Sequence, residues 1–419
     1  FVARDGRLSS DMLAGPLCAG LRYSGCNVFD LGQTTTPVLN FAICHGDTAN
    51  CGVMITASHN PGCYNGFKIV LEGQVIPSEG LQALKAMMAA NDAPMKTEGS
   101  LAALGIVPSY LDHIVADNKL SRAFKLVIDG GNSVSGPIAV ELFERLGCQV
   151  EPLFCTIDGN FPNHDPNPSE EKNLQPLIAQ VKSTGADLGL AFDGDGDRLV
   201  AVSHLGEIVW PDRLMMIFAR DLLTNSPGSS VVFDVKSSKR LGELIEQYSG
   251  VPIMCKTGHS HIRKTVRDTN ALLGGEFSGH LFFNDRWYGF DDGCYAAMRL
   301  LEVLSAQKHG DVSSLDQMIS EFEPTSYTPE ILIPVTEDNK FRIMQTLISE
   351  CKFPGGTISP LDGLRVEYEH GWGLIRASNT TPNLTLRFEA ENNLELEIIK
   401  QHFLAELEPF INHLKDHIK

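Results

Sequence analysis

Apolar positions recur along the chain in one order three times: a short apolar strand ending in Asp, a polar loop, an amphipathic helix, a glycine, and another apolar strand. The first copy runs from Phe1 through Asp5 to a helix near Ser9 to Tyr23, Gly25 and the strand CNVFDLG. The second starts at KLVID (Lys125 to Asp129), continues through a helix ending near Leu146 and Gly147, and closes in CQVEPL. The third starts at VVFD (Val231 to Asp234), passes through LGELIEQY and Gly250, and closes in VPIMCKT. Each reads as a β-α-β unit, because parallel neighbours need a long crossover and a helix is the usual one. The pattern predicts three similar α/β domains with mixed sheets.

The periodicity changes after EFEPTSYTPE (321–330). Strand candidates EILIPVT, GLRVEY, GLIRAS and LTLRFEA now share the segment with helical stretches beginning near Glu337 and Glu391, which predicts a smaller C-terminal α+β domain. With further breaks near 105 and 207, the expected domains are 1–105, 106–207, 208–322 and 323–419. A chain of 419 residues has room for two to four, at about 150 residues each.

Polar clusters interrupt the apolar runs at four informative places. In CGVMITASHNPGCYNGFKIV (51–70), the run Val53, Met54, Ile55 breaks into Thr56, Ala57, Ser58, His59, Asn60 and Pro61 before Phe67. Asn, Pro and Gly make this a turn between strands. Local sequence leaves Ser58 as either a turn residue or a reactive hydroxyl.

ADLGLAFDGDGDRLVAV (186–202) places Asp193, Asp195 and Asp197 after an apolar strand, alternating with Gly194 and Gly196. Residues two apart share a side in an extended segment, and the glycines let the backbone curl until three carboxylates converge. Three such charges repel unless a cation sits among them; a hard divalent ion fits, and Mg²⁺ leaves positions for a phosphate oxygen. An EF-hand loop would need Gly and Glu where Arg198 and His204 stand. A solvated acidic turn is the plainer alternative. Arg198 is either a salt-bridge partner of this loop or a ligand contact.

GWGLIRASNTTPNLTLRFEA (371–390) gathers Arg376, Ser378, Asn379, Thr380 and Thr381. A planar guanidinium beside hydroxyls, an amide and loop N–H groups suits a phosphate dianion; a polar hairpin turn carries similar residues. GGEFSGHLFF (274–283) sets Glu276, Ser278 and His280 on one side if extended, a grouping suited to sugar hydroxyls or equally a glycine-rich strand edge. His259 and His261 in CKTGHSHIRK, and Lys236 in FDVK, gain no role from their sequence alone.

Charge narrows the field further. A formal net charge of −18 argues against nucleic-acid or anionic-membrane partners, which reward an excess of Lys and Arg. An anionic ligand would need its cations gathered locally. Ten scattered cysteines without a CxxC are the usage of a reduced, cytoplasmic protein. No apolar run approaches the ~18 residues of a spanning helix. Nothing demands an oligomer, so a monomer is expected.

TASHNP, DGDGDR, GEFSGH and RASNTTP, in this order and across nearly the whole chain, resemble the α-D-phosphohexomutase superfamily. GEFSGH together with YNGFK looks most like its bacterial phosphomannomutase/phosphoglucomutase branch; phosphoglucosamine mutases generally carry GEQSGH and are the alternative enzyme reading. The resemblance implies four domains around a central cleft, phosphorylated hexoses (mannose, glucose or both) as substrates, one Mg²⁺ per chain, and a hexose 1,6-bisphosphate intermediate and activator. It implies that Ser58 is the phosphoserine and that Asp193, Asp195 and Asp197, with a phosphoserine oxygen, hold the metal. Glu276 and Ser278 would read the sugar's O3 and O4, with His280 nearby. Arg376, Ser378, Asn379 and Thr380 would grip the phosphate not being transferred. Lys68, Arg198, Lys236 and His259 match positive positions, Lys68 and His259 being candidates for proton transfer, and His59 and Asn60 shape the serine loop. Family members ordinarily begin earlier, with a strand and a loop carrying a Tyr and an Arg, whereas this chain opens in VARDGR. Either the native start is removed or disordered, or this copy lacks that contributor; a non-catalytic sugar-phosphate-binding protein is the alternative of another class.

Overall fold

In a computed structural model, which describes residues 1–46, 48–76, 78–90, 97–306, 314–379, 381–411 and 414–418, the three repeated units form three sheets of one topology. In the first, Val2–Arg4 lies parallel to Val28–Gln33 on one side and to Gly52–Ile55 on the other, and Gly52–Ile55 pairs antiparallel with Phe67–Leu71. In the second, Lys125–Asp129 is parallel to Gln149–Leu153 and Leu188–Phe192, and Leu188–Phe192 is antiparallel to Leu199–Ser203. The third repeats this with Ser230–Asp234, Val251–Cys255, Leu273–Gly275 and Leu281–Phe283. The mixed sheets expected of the pattern are present. The Asp ending each repeat's first strand starts the next turn: Asp5 accepts from the Arg7 N–H, Asp129 from the Gly131 N–H and Asp234 from the Ser237 hydroxyl.

Strand alternation explains the layers. In the second sheet Leu126 and Ile128 face one way, against Ile138 and Leu142 of helix Ser135–Arg145, while Val127 faces the other way, toward Leu174 and Leu177 of helix Glu171–Thr184. Both faces are covered by helices, so these strands read as nearly continuous apolar runs. No helix among the described residues is long and apolar enough to cross a membrane.

The C-terminal segment is antiparallel throughout. Asn383–Ala390 pairs with Gly371–Ala377, which continues through Leu364–Tyr368 to Thr357–Ser359; its other edge takes Ser326–Tyr327 and Ile331–Pro334. The strands Ser326–Tyr327 and Thr357–Ser359 were invisible to the hydrophobic pattern because they are too short to show alternation. Along Asn383–Ala390, Leu384, Leu386 and Phe388 face helices Glu337–Glu350 and Asn393–Leu407, closing a core of their own. Thr385, Arg387 and Glu389 occupy the opposite face and are nonetheless buried.

Candidate active site

The four polar motifs occupy equivalent places. TASHNP joins Gly52–Ile55 to Phe67–Leu71, DGDGDR joins Leu188–Phe192 to Leu199–Ser203, GEFSGH joins Leu273–Gly275 to Leu281–Phe283, and RASNTTP joins Gly371–Ala377 to Asn383–Ala390; every pair is antiparallel. Each motif is therefore a hairpin tip. In the first three the leading strand belongs to the parallel set, so the tips emerge at the carboxyl ends where open α/β sheets hold ligands.

Ser58 adopts φ 50°, in the left-handed region. Its N–H donates to Thr56 Oγ1 (2.9 Å), and its hydroxyl donates to Asp193 Oδ2 (2.7 Å), joining two loops 135 residues apart. A Cβ at Gly194 would lie 2.3 Å from the Ser58 carbonyl oxygen, so this approach requires glycine. His59 Nδ1 lies 3.3 Å from Ser58 Oγ, and the Asn60 N–H closes the turn on the Ala57 carbonyl.

Asp193, Asp195 and Asp197 are 0%, 0% and 1% exposed, which overturns the solvated-turn reading. One oxygen from each lies within 4.8 Å of the others. Lys68 Nζ pairs with Asp195 Oδ2 (2.6 Å) and Asp197 Oδ2 (2.5 Å), and Thr36 donates its hydroxyl to Asp195 Oδ2 (2.5 Å). Asp195 Oδ1 and Asp197 Oδ1 are buried without a hydrogen-bond partner among the described residues. Burial, and then the charges of Asp197 and Asp195, push the Asp193 carboxyl well above the usual carboxylate range. Converging buried carboxylate oxygens with free lone pairs fit a hard divalent cation. Burial works against the Lys68 charge, but Asp195, Asp197 and Asp193 more than offset it and hold Lys68 as an ammonium.

Arg198 reaches both ways: its Nε lies 3.0 Å from His280 Nε2 and 3.6 Å from Asp193 Oδ2. His280 Nδ1 is in turn 2.7 Å from Asp291 Oδ2 and 3.4 Å from Asp197 Oδ1. The His259 ring sits 5.5 Å from that of His280, and burial lowers its pKa, keeping the imidazole neutral. His261 lies on the same helix, His259–Thr269.

GEFSGH is a turn rather than an extended run: the Glu276 N–H donates to the His280 carbonyl, and Gly279 has φ 104°. Glu276 and Ser278 still meet, through a 2.8 Å bond from the Ser278 hydroxyl to Glu276 Oε2, while Glu276 Oε1 accepts from the Gly258 N–H at 2.7 Å. Phe277, between them, points away from the polar tip, with the Arg387 guanidinium 3.6 Å above its ring.

Lys236 is buried beside Glu330, Nζ to Oε1 3.0 Å. Arg376 Nε donates to Asp362 Oδ2 (3.0 Å), which also accepts from the Thr257 N–H (3.0 Å), tying the fourth tip to the segment just before His259. Ser378 Oγ accepts from the Thr381 N–H (3.2 Å) and hydroxyl (2.9 Å), and Asn379 is exposed. Thr380 lies outside the described residues. Contacts thus run unbroken from Ser58 through Asp193, Arg198 and His280, and from Glu276 through the Thr257–Gly258 backbone to Asp362 and Arg376. Among the described residues, Arg376 reaches this group through Asp362 and not through Ser58.

Four contributors escaped the sequence reading: Thr36, Asp291, Asp362 and Arg7. The paired acids of GFDDG and the strand-ending Asp of VARDGR were the available signals.

Comparison with known proteins places these features in a family. Four consecutive models match, described as phosphoglucomutase/phosphomannomutase alpha/beta/alpha domain I over 1–95, domain II over 108–206, domain III over 210–324 and the C-terminal domain over 330–406. A phosphomannomutase/phosphoglucomutase of Pseudomonas putida is 49% identical over 406 residues, covering 97% of this chain and 86% of the relative. A phosphoglucomutase of Neisseria gonorrhoeae is 46% identical over 412 residues, covering 97% and 88%. The crystal structure of a phosphoglucomutase/phosphomannomutase family protein from Burkholderia thailandensis superposes with a TM-score of 0.91 at 43% identity, covering 97% of this chain and 88% of that one.

Proposed function

The chain belongs to the phosphoglucomutase/phosphomannomutase family, and from that premise we propose that it interconverts hexose 1-phosphates and hexose 6-phosphates, with Ser58 as the phosphoryl carrier. The observation that carries this reading is the Ser58 hydroxyl bonded at 2.7 Å to a buried Asp of another sheet, beside two further Asp oxygens that accept no hydrogen bond from the described residues.

The four domains, taken as 1–105, 106–207, 208–322 and 323–419, each supply one hairpin tip. Asp193, Asp195 and Asp197, with an oxygen of phosphorylated Ser58, would hold Mg²⁺, which when bound neutralises charge on the phosphoryl group. Transfer breaks the bond between phosphorus and Ser58 Oγ as a sugar hydroxyl oxygen bonds to that phosphorus, giving a hexose 1,6-bisphosphate. After the bisphosphate turns around, Ser58 Oγ takes back the other phosphate and the isomeric monophosphate leaves. Lys68 and His259 are the groups that move the hydroxyl proton. Glu276 and Ser278 bind O3 and O4, which a turned-around ligand presents again, and His280 with Arg198 lines that side. Arg376, Ser378, Asn379, Thr380 and Lys236 bind the phosphate that is not transferred. His59 and Asn60 keep the serine loop in shape.

Intact-mass measurement after incubation with glucose 1,6-bisphosphate tests the carrier: one phosphate is expected on the wild type and none on Ser58→Ala. Glucose 1-phosphate and mannose 1-phosphate are then assayed with Mg²⁺ and catalytic bisphosphate. An unphosphorylated Ser58 together with no turnover of either sugar would leave a binding protein in place of an enzyme.

A further inference from the structure

We propose that Arg7 is a positioning residue for the reaction, holding the Ser58 loop from its buried side so that the serine oxygen faces the acidic loop. Arg7 is 1% exposed as a residue. Its Nη2 donates to the carbonyls of Ser58 (2.7 Å) and Asn60 (2.6 Å), and its Nη1 to those of Pro61 (2.7 Å) and Tyr64 (3.1 Å). Its Nε and backbone N–H both donate to Asp5 (2.9 and 3.0 Å), which also accepts the hydroxyls of Thr56 (2.7 Å) and Ser10 (2.5 Å).

The chemistry of the turn explains the need. A loop that presents its serine hydroxyl to a cleft turns several carbonyls inward, where each must find a donor. One guanidinium offers five N–H groups in a rigid fork and serves four of these carbonyls at once, which an ammonium cannot do. The left-handed backbone at Ser58 is intrinsically costly and persists only where its surroundings fix it.

The second sheet unit completes the clamp. The Phe161 ring lies 5.2 Å from the guanidinium carbon. A Cβ at Gly159 would lie 2.5 Å from the Gly6 carbonyl oxygen and 2.7 Å from the Leu8 nitrogen, and one at Gly62 would lie 3.1 Å from the Gly159 carbonyl oxygen. Arg7 therefore sets the serine loop against the same unit that carries Asp193.

This inference rests on Ser58 being the phosphoryl carrier, and Arg7→Lys in the full chain tests it by keeping the charge while losing the fork. The expected result is a kcat about a hundredfold lower, the scale of an ångström's misplacement, with the KM for glucose 1-phosphate little changed. Hydrogen exchange should accelerate at residues 57–66 while the rest of the chain exchanges as in the wild type. Phe161→Leu, which leaves every Arg7 hydrogen bond in place, should move kcat and loop exchange in the same directions by less, and serves if Arg7→Lys does not fold. Wild-type kcat and loop exchange in the folded Arg7→Lys variant, or exchange that rises throughout the molecule, would overturn the assignment. A wild type that takes no phosphate on Ser58 from glucose 1,6-bisphosphate would remove the carrier reading and this inference together; a phosphorylated, active wild type matched by the variant removes this inference alone.

Discussion

Helices Pro211–Asn225 and Gly293–Ser305 pack into an apolar core running from Ile138 and Leu142 to Leu300 and Phe322, so the second and third sheets share one interior, and helix Thr36–His45 of the first domain reaches into it through Val38 and Phe41. The fourth closes its own core between Ile333 and Ile418 and meets the third mainly through polar groups. Arg365 donates to the carbonyls of Val235 (2.6 Å) and Ser237 (2.9 Å), Arg387 to that of Lys236, and Ser238 to Glu389 (2.6 Å). Arg387 also pairs with buried Asp212 at 3.1 Å, and among the described residues the apolar cluster there is small: Val235, Trp372 and Leu374 with half-buried Met254 against them. A shared apolar interior cannot be parted without exposing it to water, whereas hydrogen-bonded groups can exchange partners. The joint between the third and fourth domains is thus the one whose contacts can exchange partners most readily, and ligand-bound structures and small-angle scattering can check whether the fourth domain moves there.

The largest effect is expected at Arg387. Arg387→Leu strands buried Asp212 and should cost about 3–5 kcal/mol, so that calorimetry resolves an early transition for residues 323–419. A single cooperative transition would instead mean that the two regions are held alike. Leu300→Ala, in the shared core, should cost about 2–5 kcal/mol and lower the transition of the first three domains together while leaving that of the fourth in place.

Acid should act on the two regions with opposite sign. Asp292, buried and bonded to the Tyr110 hydroxyl, has its carboxyl pushed up from 3.8 to about 7, chiefly by burial. A raised acid stabilises the folded state below its unfolded pKa, and that contribution is lost as pH rises through 7. Glu330 is also pushed up by burial, but Lys236, with Arg387 and Arg376, outweighs this and holds it below its ordinary 4.5. Its contribution is present above 4.5 and lost as pH falls through the depressed value. Taking the protein from pH 7 to pH 5 should therefore raise the first transition in thermal melts, and taking it on below pH 4.5 should lower the second; Asp292→Asn should flatten the former trend and Glu330→Gln the latter. The smallest effect is expected from Arg240→Ala, whose partners Glu323 and Glu391 are exposed: about 0.5 kcal/mol or less in urea titration.

The β-α-β repeats and the four motif loops were legible in sequence because each depends on local periodicity and on glycine, proline and acidic residues at short spacing. What joins them was not. Arg7 spends four bonds on carbonyls, which every residue carries, so apart from the strand-ending Asp5 nothing in VARDGR distinguishes it from a solvated arginine. Phe277 of GEFSGH faces Arg387 at the joint with the fourth domain, a contact 110 residues away that no window of sequence can report. The alternation of LTLRFEA was plain, but its charged side turned out to be buried, because the third domain covers it.

Because all four motifs are hairpin tips, the framework and the chemistry are separable parts. A tip can change length or composition without shifting the register of the strands behind it, since that register is fixed by the apolar faces. Ligand preference can then drift through substitutions in a few short connections while the scaffold stays constant. Exchanging one tip at a time between relatives offers a practical way to redirect such a protein.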